Sequence, residues 1–423
     1  MTIQERDKNV VWHPFTQIKV APLPIAIVKG EGAYFYDDKG NRYIDGIASW
    51  WVNVHGHAHP YLAQKVSEQL QTLEHAIFSG FTHEPAVRLA ERLLQRLPQN
   101  QSKIFYSDNG STAVEVALKM AFQYWSNQGI AKTKIIALEN AYHGDTFGGM
   151  SVGARNAFNL PFSKLLFDVI HIPVPVKGKE EETINALKQA LKQDDVAAFI
   201  FEPLIQGAGG MVMYSAEVLD NMIELCRTKN VITIADEVMT GFGRTGKFFA
   251  NDYLKNKADI ICLSKGLTGG VMPLGVTSCA KFIYDAFLSD DKMKTFFHGH
   301  SYTANPTACS AALASMDLFD KPETFENIDR IEKKHTAFLQ KIKSHKALMD
   351  VRQLGTIIAF EIKTTEHTNY LNSLAEQISD FFIGKGIILR PLGNIVYILP
   401  PYCIKNEDLD YIYESVEEFL NGQ

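Results

Sequence analysis

From about residue 100 to residue 310 the chain repeats one pattern: a short apolar run rich in β-branched residues, then a longer stretch with apolar positions at helical spacing. That alternation is the signature of βαβ units, and so of an α/β fold with a largely parallel sheet. Strands are expected at 103–106, 134–138, 169–172, 197–201, 231–235, 260–263 and 275–279. Several are apolar on both alternations, as befits strands buried under helices on both faces. The 3.6-residue periodicity predicts helices at 112–125, 183–192, 216–228 and 305–319. After about residue 320 the pattern changes to a charged helix at 327–345 and strands near 351–362, 386–390 and 395–399, which reads as a separate α+β domain. Near the start, 32–36 and 42–45 read as a hairpin across the turn-rich DDKGN at 37–41.

With 46% hydrophobic and 21% charged residues over 423 positions, the chain can bury more than one core and is neither disordered nor fibrous. A net charge of -6 gives no electrostatic footprint for nucleic acid or an anionic membrane, so small molecules are the expected partners. Cys226, Cys262, Cys279, Cys309 and Cys403 are scattered and odd in number, which argues against a disulfide framework or a zinc knuckle. No apolar run approaches the roughly 18 residues of a membrane span. A reducing cytoplasm is the expected setting.

Two motifs invite other readings. GFGRTG at 241–246 matches G-x-G-x-x-G and, with Lys247, nearly matches a P-loop. Phe248 stands where a P-loop needs a hydroxyl, and no helix signal follows, so a conformationally demanding loop is the better reading than a nucleotide site. His55, His57 and His59, echoed by His298 and His300, suggest a metal. With no carboxylate or cysteine at a ligand-like offset, imidazoles bonded to backbone in tight turns, or lining a substrate, are expected instead.

The residues that carry chemistry stand where strands end, the place at which open α/β sheets collect ligands. VITIA at 231–235 runs into Asp236, a carboxylate costly to bury unless a cation meets it. A pyridinium nitrogen would serve, since a paired carboxylate keeps it protonated. An ion pair to Arg244 is the structural alternative. IICL at 260–263 delivers Lys265 to the same rim. A desolvated amine there would have a lowered pKa, suited to Schiff-base formation and proton transfer, although a snorkelling lysine would look the same in sequence. Gly110 and Ser111 fall just before the helix predicted from Thr112, where small residues and free N–H groups make an anion cradle. TAVE at 112–115 also fits a capping box, so a merely well-capped helix remains open. Tyr142, after the strand at 134–138, offers a face for a flat ring or is a packed core tyrosine.

At these residues the sequence resembles the class III, ornithine-aminotransferase-like, pyridoxal-phosphate enzymes of fold type I. The resemblance is carried by IADEV at 234–238, TGFGRTG at 240–246 and SKG at 264–266. It continues through EP at 202–203, QG at 206–207 and HGHSYTANP at 298–306, and covers essentially the whole chain. It implies a fold type I transferase: a large cofactor-binding domain, 50–319, built on a mostly parallel seven-stranded sheet, and a smaller α+β domain, 320–423. A segment at 1–49 would pack with the small domain. The implied cofactor is pyridoxal 5'-phosphate, and the implied assembly is a homodimer with shared active sites.

Within the class, WHPFT at 12–16, SWW at 49–51, YHGDTF at 142–147, Arg390-Pro391 and YILPP at 397–401 are similar to the members that aminate 8-amino-7-oxononanoate in biotin synthesis. By that resemblance Gly110 and Ser111 bind phosphate, Tyr142 lies over the ring, Asp236 meets its nitrogen, and Lys265 carries the cofactor. Trp50, Trp51, Phe15, Tyr397 and Gly299 would line the substrate, with Arg390 on the oxononanoate carboxylate. His300 and Ser301 would reach the phosphate of the partner subunit. The implied reaction is a ping-pong transamination in two halves. S-adenosylmethionine is the implied donor, but Phe15 and His300 are also what lysine-using relatives show. A different ω-amine substrate within class III stays open as well. Arg390 is expected to close the strand at 386–390, with Pro391 ending it.

Overall fold

All seven apolar runs form strands, and all seven lie in one sheet. The computed structural model describes residues 1–156, 158–368 and 370–422. The strands are β1 (Gln101–Ser107), β2 (Lys134–Leu138), β3 (Val169–Ile172), β4 (Val196–Phe201), β5 (Ile232–Asp236), β6 (Ile260–Leu263) and β7 (Gly275–Ala280). Their order across the sheet is β1-β7-β6-β5-β4-β2-β3. The pairs β6–β5, β5–β4, β4–β2 and β2–β3 are parallel, whereas β7 runs antiparallel to both β6 and β1. The reason is the connection. Only 264–274 joins β6 to β7, too little chain for a crossover helix, so the strand must return in the opposite sense.

Both faces of this sheet are covered. On β4, Phe199 and Phe201 enter one apolar core while Ile200 enters the other, and every residue of the strand is buried. Each such aromatic or aliphatic side chain contributes about 1.5–3 kcal/mol by leaving water. One core is lined by helix α1 (Gly110–Asn127), whose Val114, Ala117 and Ala121 are fully buried. The other takes in α2 (Pro306–Phe319), through Ala308, Ala312 and Phe319, and the C-terminal region.

Helix α1 begins two residues before the predicted start. Asn109 is its N-cap: its side-chain oxygen accepts the Thr112 N–H at 2.9 Å, and the Thr112 hydroxyl accepts the Asn109 N–H at 3.1 Å. Glu115 therefore does not close a capping box. Its carboxylate accepts the Gly148 N–H at 2.6 Å instead, holding the first turn of the Phe147–Val152 helix. The shift matters because it moves Gly110 and Ser111 into the first helical turn, where their N–H groups have no partner within the helix.

Beyond residue 320 the charged helix is α3 (Pro322–Ile342), started early by a proline at its first position. The predicted strand at 351–362 is in fact a hairpin, Leu348–Leu354 against Ile357–Ile362, to which Ile395–Ile398 adds a third strand. The reversal hinges on Gly355 at φ +55, where a Cβ would come within 2.2 Å of the Thr245 carbonyl carbon. No larger residue fits there without parting this hairpin from the 241–246 loop. The strand expected at 386–390 shrinks to Ile387–Ile388 and pairs in parallel with Arg42–Asp45. The predicted N-terminal hairpin (Tyr34–Asp37 and Arg42–Asp45), with Ile27–Glu31, thus shares a four-stranded sheet with the C-terminal part of the chain. Arg390 lies past that strand, not at its end. Among the described residues no helix is long and apolar enough to cross a membrane.

The 241–246 loop has Phe242, Gly243 and Gly246 at positive φ (60, 89 and 96). It carries Phe248 into an aromatic cluster with Phe242, Phe249 and Phe319. The histidines of the other motif bond side chains more than backbone: His55 to Ser315 at 3.0 Å, His57 to Asp45 at 2.8 Å, His298 to Lys119 at 3.0 Å. Among the described residues no three histidine, cysteine or acidic side chains are grouped to hold a metal.

Candidate active site

A cavity of about 700 Å³ opens at the carboxyl ends of β5 and β6, beside the first turn of α1. Its wall includes Gly110, Ser111, Tyr142, Asp236, Lys265 and Trp51. Strand-end placement brings these together because β4, β5 and β6 are adjacent and parallel, so their last residues share one rim.

Lys265 follows β6 in a left-handed conformation, φ +47, which a β-carbon makes costly by roughly 1–2 kcal/mol. Its Nζ stands 4.4 Å from the centre of the Trp51 ring. Burial lowers its pKa to about 8, against the pull of Asp236 and Glu202, which favour the charged form. Asp236, only 5% exposed, closes β5. One of its oxygens accepts from His143 Nδ1 at 2.7 Å and the other from the Val238 N–H at 3.0 Å. A carboxylate only accepts here, so Nδ1 must carry the proton. Arg244, the partner weighed for Asp236 from sequence, is elsewhere: it is fully buried and donates to the carbonyls of Pro400, Trp51 and Asn53 at 2.9, 3.2 and 3.3 Å.

At the first turn of α1 two segments meet. Ser111 Oγ lies 2.7 Å from Thr146 Oγ1 and accepts the Thr146 N–H at 3.1 Å, tying the 142–146 loop to the start of α1. Gly144 makes this approach possible: at φ +103, a Cβ there would fall 2.2 Å from Ser111 Oγ. Tyr142 points its hydroxyl to Asp145 at 2.9 Å, and burial pushes its phenol well above its usual pKa.

Two members of this site escaped the residue reading. Glu202 directly follows β4, as Lys265 nearly follows β6, and the strand-end rule would have picked it out. It is fully buried, accepts the N–H groups of Tyr142 and Gly207 at 3.1 and 2.9 Å, and is pushed up to about 7 by burial. His143 was visible in sequence only as a neighbour of Tyr142.

Phe15, Trp50, Arg390 and Tyr397 form a second group next to the cavity, joined to it by Trp51, whose indole N–H donates to the Tyr397 hydroxyl at 3.0 Å. A left-handed turn, with Ala48, Ser49, Trp50 and Trp51 all at φ between 49 and 75, sends the two indoles to different places. Trp51 is buried against Lys265, and Trp50 stacks on the Arg390 guanidinium at 4.6 Å. Phe15 meets Trp50 edge-on at 5.4 Å. Gly299, His300 and Ser301 are not brought to this cavity. They sit on a separate loop in which the Thr303 hydroxyl accepts the His300 N–H at 3.1 Å.

The chain belongs to the class-III aminotransferases, pyridoxal-phosphate enzymes whose family model matches residues 15–420. It is 46% identical over 419 residues to the adenosylmethionine-8-amino-7-oxononanoate aminotransferase of Synechococcus elongatus, covering 97% of this chain and 98% of that protein. It is 40% identical over 441 residues to the protein of the same name from Geobacter sulfurreducens, covering 99% and 97%. Among solved structures, the adenosylmethionine-8-amino-7-oxononanoate aminotransferase of Methanocaldococcus jannaschii superposes with a TM-score of 0.93 at 36% identity over 98% of each chain. An omega transaminase of Pseudomonas jessenii in complex with PMP gives 0.94 at 27% identity, covering 100% of this chain and 98% of that one.

Proposed function

We propose that this chain transfers an amino group to 8-amino-7-oxononanoate, forming 7,8-diaminononanoate in biotin synthesis, with S-adenosylmethionine as donor. The observation that carries the acceptor is Arg390: a cation held on the face of Trp50 next to an apolar, tryptophan-lined cavity suits a long aliphatic chain ending in a carboxylate. The names of the relatives above point to the same pair of substrates. One feature favours lysine as an alternative donor: Phe15 brings no hydroxyl to the Trp50 ring.

The residues fit pyridoxal phosphate. Gly144 leaves the cradle room that a Cβ would fill, and Asp236 is a buried carboxylate with lone pairs still open to the cavity. When bound, the cofactor supplies an aldehyde that takes up amines and a ring that accepts electrons. Gly110 and Ser111 would hold its phosphate, Tyr142 would lie against its ring, and Asp236 would keep the ring nitrogen protonated. Lys265 would hold the aldehyde, give it up to the donor amine, and then carry the proton to and from the substrate carbon that bears the amino group. Trp50 and Trp51 would exclude water along the aliphatic chain, with Phe15 and Tyr397 behind them. Arg390 would orient the acceptor by its carboxylate.

The assembly would be a homodimer in which each copy's His300 and Ser301 complete the other copy's phosphate site and Gly299 its substrate wall. The position of that loop outside its own cavity supports this. Sedimentation should give a dimer at assay concentration, and an active monomer would refute it. Five unpaired cysteines support a reducing cytoplasm as its compartment.

Arg390→Ala tests the acceptor. In single turnover it should slow the acceptor half-reaction by about 2–5 kcal/mol in transition-state terms, as truncating one side of a buried charge pair does. The donor half-reaction should change far less, because the donor's carboxylate is not at the far end of a long chain. Equal losses in both halves, or none in either, would remove the oxononanoate reading. Presenting S-adenosylmethionine and lysine singly to the holoenzyme, and following cofactor absorbance, separates the two donors.

A further inference from the structure

Three segments far apart in the chain meet above Arg390. Phe15 comes from the N-terminal stretch, Phe158 from the loop after the Phe147–Val152 helix, and Tyr370 from the loop preceding the Leu374–Gly384 helix. Their rings form an edge-on series, Phe15 to Phe158 at 5.7 Å and Phe158 to Tyr370 at 4.7 Å. Trp50 closes the circuit, touching Phe15 at one side and carrying the guanidinium of Arg390 at the other. The Tyr370 hydroxyl accepts a hydrogen bond from Arg390 Nη2 at 3.2 Å.

What surrounds Arg390 is neutral. It rests on a ring face and one phenol oxygen, and among the described residues no carboxylate forms an ion pair with it. Its Nε is buried with no hydrogen-bond partner. Arg390 is half-buried, and a cation even partly removed from water is costly unless an anion meets it; neither a ring face nor a hydroxyl supplies a full charge. The arrangement therefore holds the guanidinium in place while leaving its anion position to a ligand. A phenol can accept one hydrogen bond and donate another at the same time. With its lone pair engaged by Arg390, the Tyr370 O–H is left to donate to whatever anion Arg390 receives.

We propose that Tyr370 is a specificity-determining residue of this site: its hydroxyl fixes the Arg390 guanidinium and donates a second hydrogen bond to the acceptor's carboxylate, while its ring, packed on Phe158, lines a second cavity that meets the first at Tyr142. This rests on the reading of Arg390 as the receiver of that carboxylate. The discrimination it provides is between a terminal carboxylate and a neutral chain end. A neutral end would leave the Arg390 charge unmet and offer the phenol proton only a weaker, uncharged acceptor.

The test uses the holoenzyme and two acceptors, 8-amino-7-oxononanoate and its methyl ester. Tyr370→Phe keeps the ring and its contact with Phe158 and removes only the hydroxyl. The KM for the acid should rise about tenfold or more, as expected when one hydrogen bond to a charged group is lost. The KM for the ester should move much less, and kcat at saturating acid should move less than KM. Tyr370→Leu, which removes the ring as well, should raise KM for both acceptors. Arg390→Ala is run beside them. If it collapses the acid-over-ester preference while Tyr370→Phe leaves the preference intact, the role of Tyr370 is overturned and that of Arg390 stands. Equal losses for acid and ester in Tyr370→Phe would mark a purely structural tyrosine and overturn the proposal too. A preference unchanged in both variants overturns the carboxylate reading itself, and Tyr370's part in it.

Discussion

Lys265→Ala should leave the fold in place and lower turnover by at least about 10²–10⁴-fold, the range that a positioned general acid and base contributes on its own. The fold should survive because the lysine makes few structural commitments. It follows β6 rather than sitting within it, and its Nζ meets a ring face instead of a carboxylate. Alanine even removes a buried amine whose burial opposes its charge. The loss should exceed that of any other single change at the site, since in the proposed mechanism the same amine holds the cofactor, leaves, and moves the proton. Borohydride reduction of the native holoenzyme should fix the cofactor to a peptide that contains Lys265, and attachment to any other lysine would overturn the assignment. The lowered pKa adds a pH signature. The neutral amine fraction should grow through about 8 and not through the ordinary 10.5. Loading of the cofactor-free protein with pyridoxal phosphate, followed by absorbance, should therefore quicken as pH rises to about 8 and level off above it. A rate still climbing towards pH 10 would show an ordinary lysine.

Much of this site could be read from residues because parallel α/β architecture turns a one-dimensional pattern into a place. Once 231–235 and 260–263 read as buried parallel strands, Asp236 and Lys265 had to share a rim, and they do. The same logic reaches Glu202, but a glutamate after a strand looks like ordinary surface chemistry until burial is known. That burial depends on the Gly207 turn folding back to donate its N–H. Strand sense was less legible. The apolar run of β7 is the same for either direction, and what decides it is the shortness of the 264–274 connection.

Other features depend on contacts between segments remote in sequence. The hairpin at 348–362 reads as one strand until the Gly355 backbone is seen against Thr245. Asn109, not Thr112, is the cap, and the Glu115 carboxylate that would have closed a box from Thr112 is instead on the Gly148 N–H. The left-handed turn at 48–51 has no glycine to announce it. It is held by packing, with Trp51 wedged between Lys265 and Tyr397, and the strain of four positive φ values places two adjacent indoles on two different tasks. Nothing in the residues around Tyr370 marks it, since its partners Phe158 and Arg390 come from distant segments.

Asp236→Asn is the second large effect expected, a loss of about 3–5 kcal/mol in the proton-transfer step, or roughly 10²–10⁴-fold, as when one partner of a buried ion pair is neutralised. The substitution keeps shape and volume, so the protein should fold. Its consequence lies in how an amide must be shared. In the native site His143 Nδ1 donates to one carboxylate oxygen and the Val238 N–H to the other, which leaves acceptor capacity and a full negative charge facing the cavity. If the asparagine oxygen keeps the bond from His143, its NH₂ turns to Val238 and the cavity, and meets a protonated ring nitrogen donor against donor. If the NH₂ turns to His143 instead, the imidazole must move its proton to Nε2, an atom that is buried and unpartnered among the described residues. In either arrangement the charge is gone, and with it the force proposed to keep the ring nitrogen protonated. Weaker cofactor retention on dialysis should accompany the slow proton transfer, measured as the decay of cofactor absorbance after mixing with donor. Deuterium at the donor's reacting carbon should slow the variant more than the native enzyme if that step has become limiting. Near-normal turnover, with cofactor held as tightly as in the native protein, would remove Asp236 from its partnership with the ring nitrogen and leave it a structural anchor for His143.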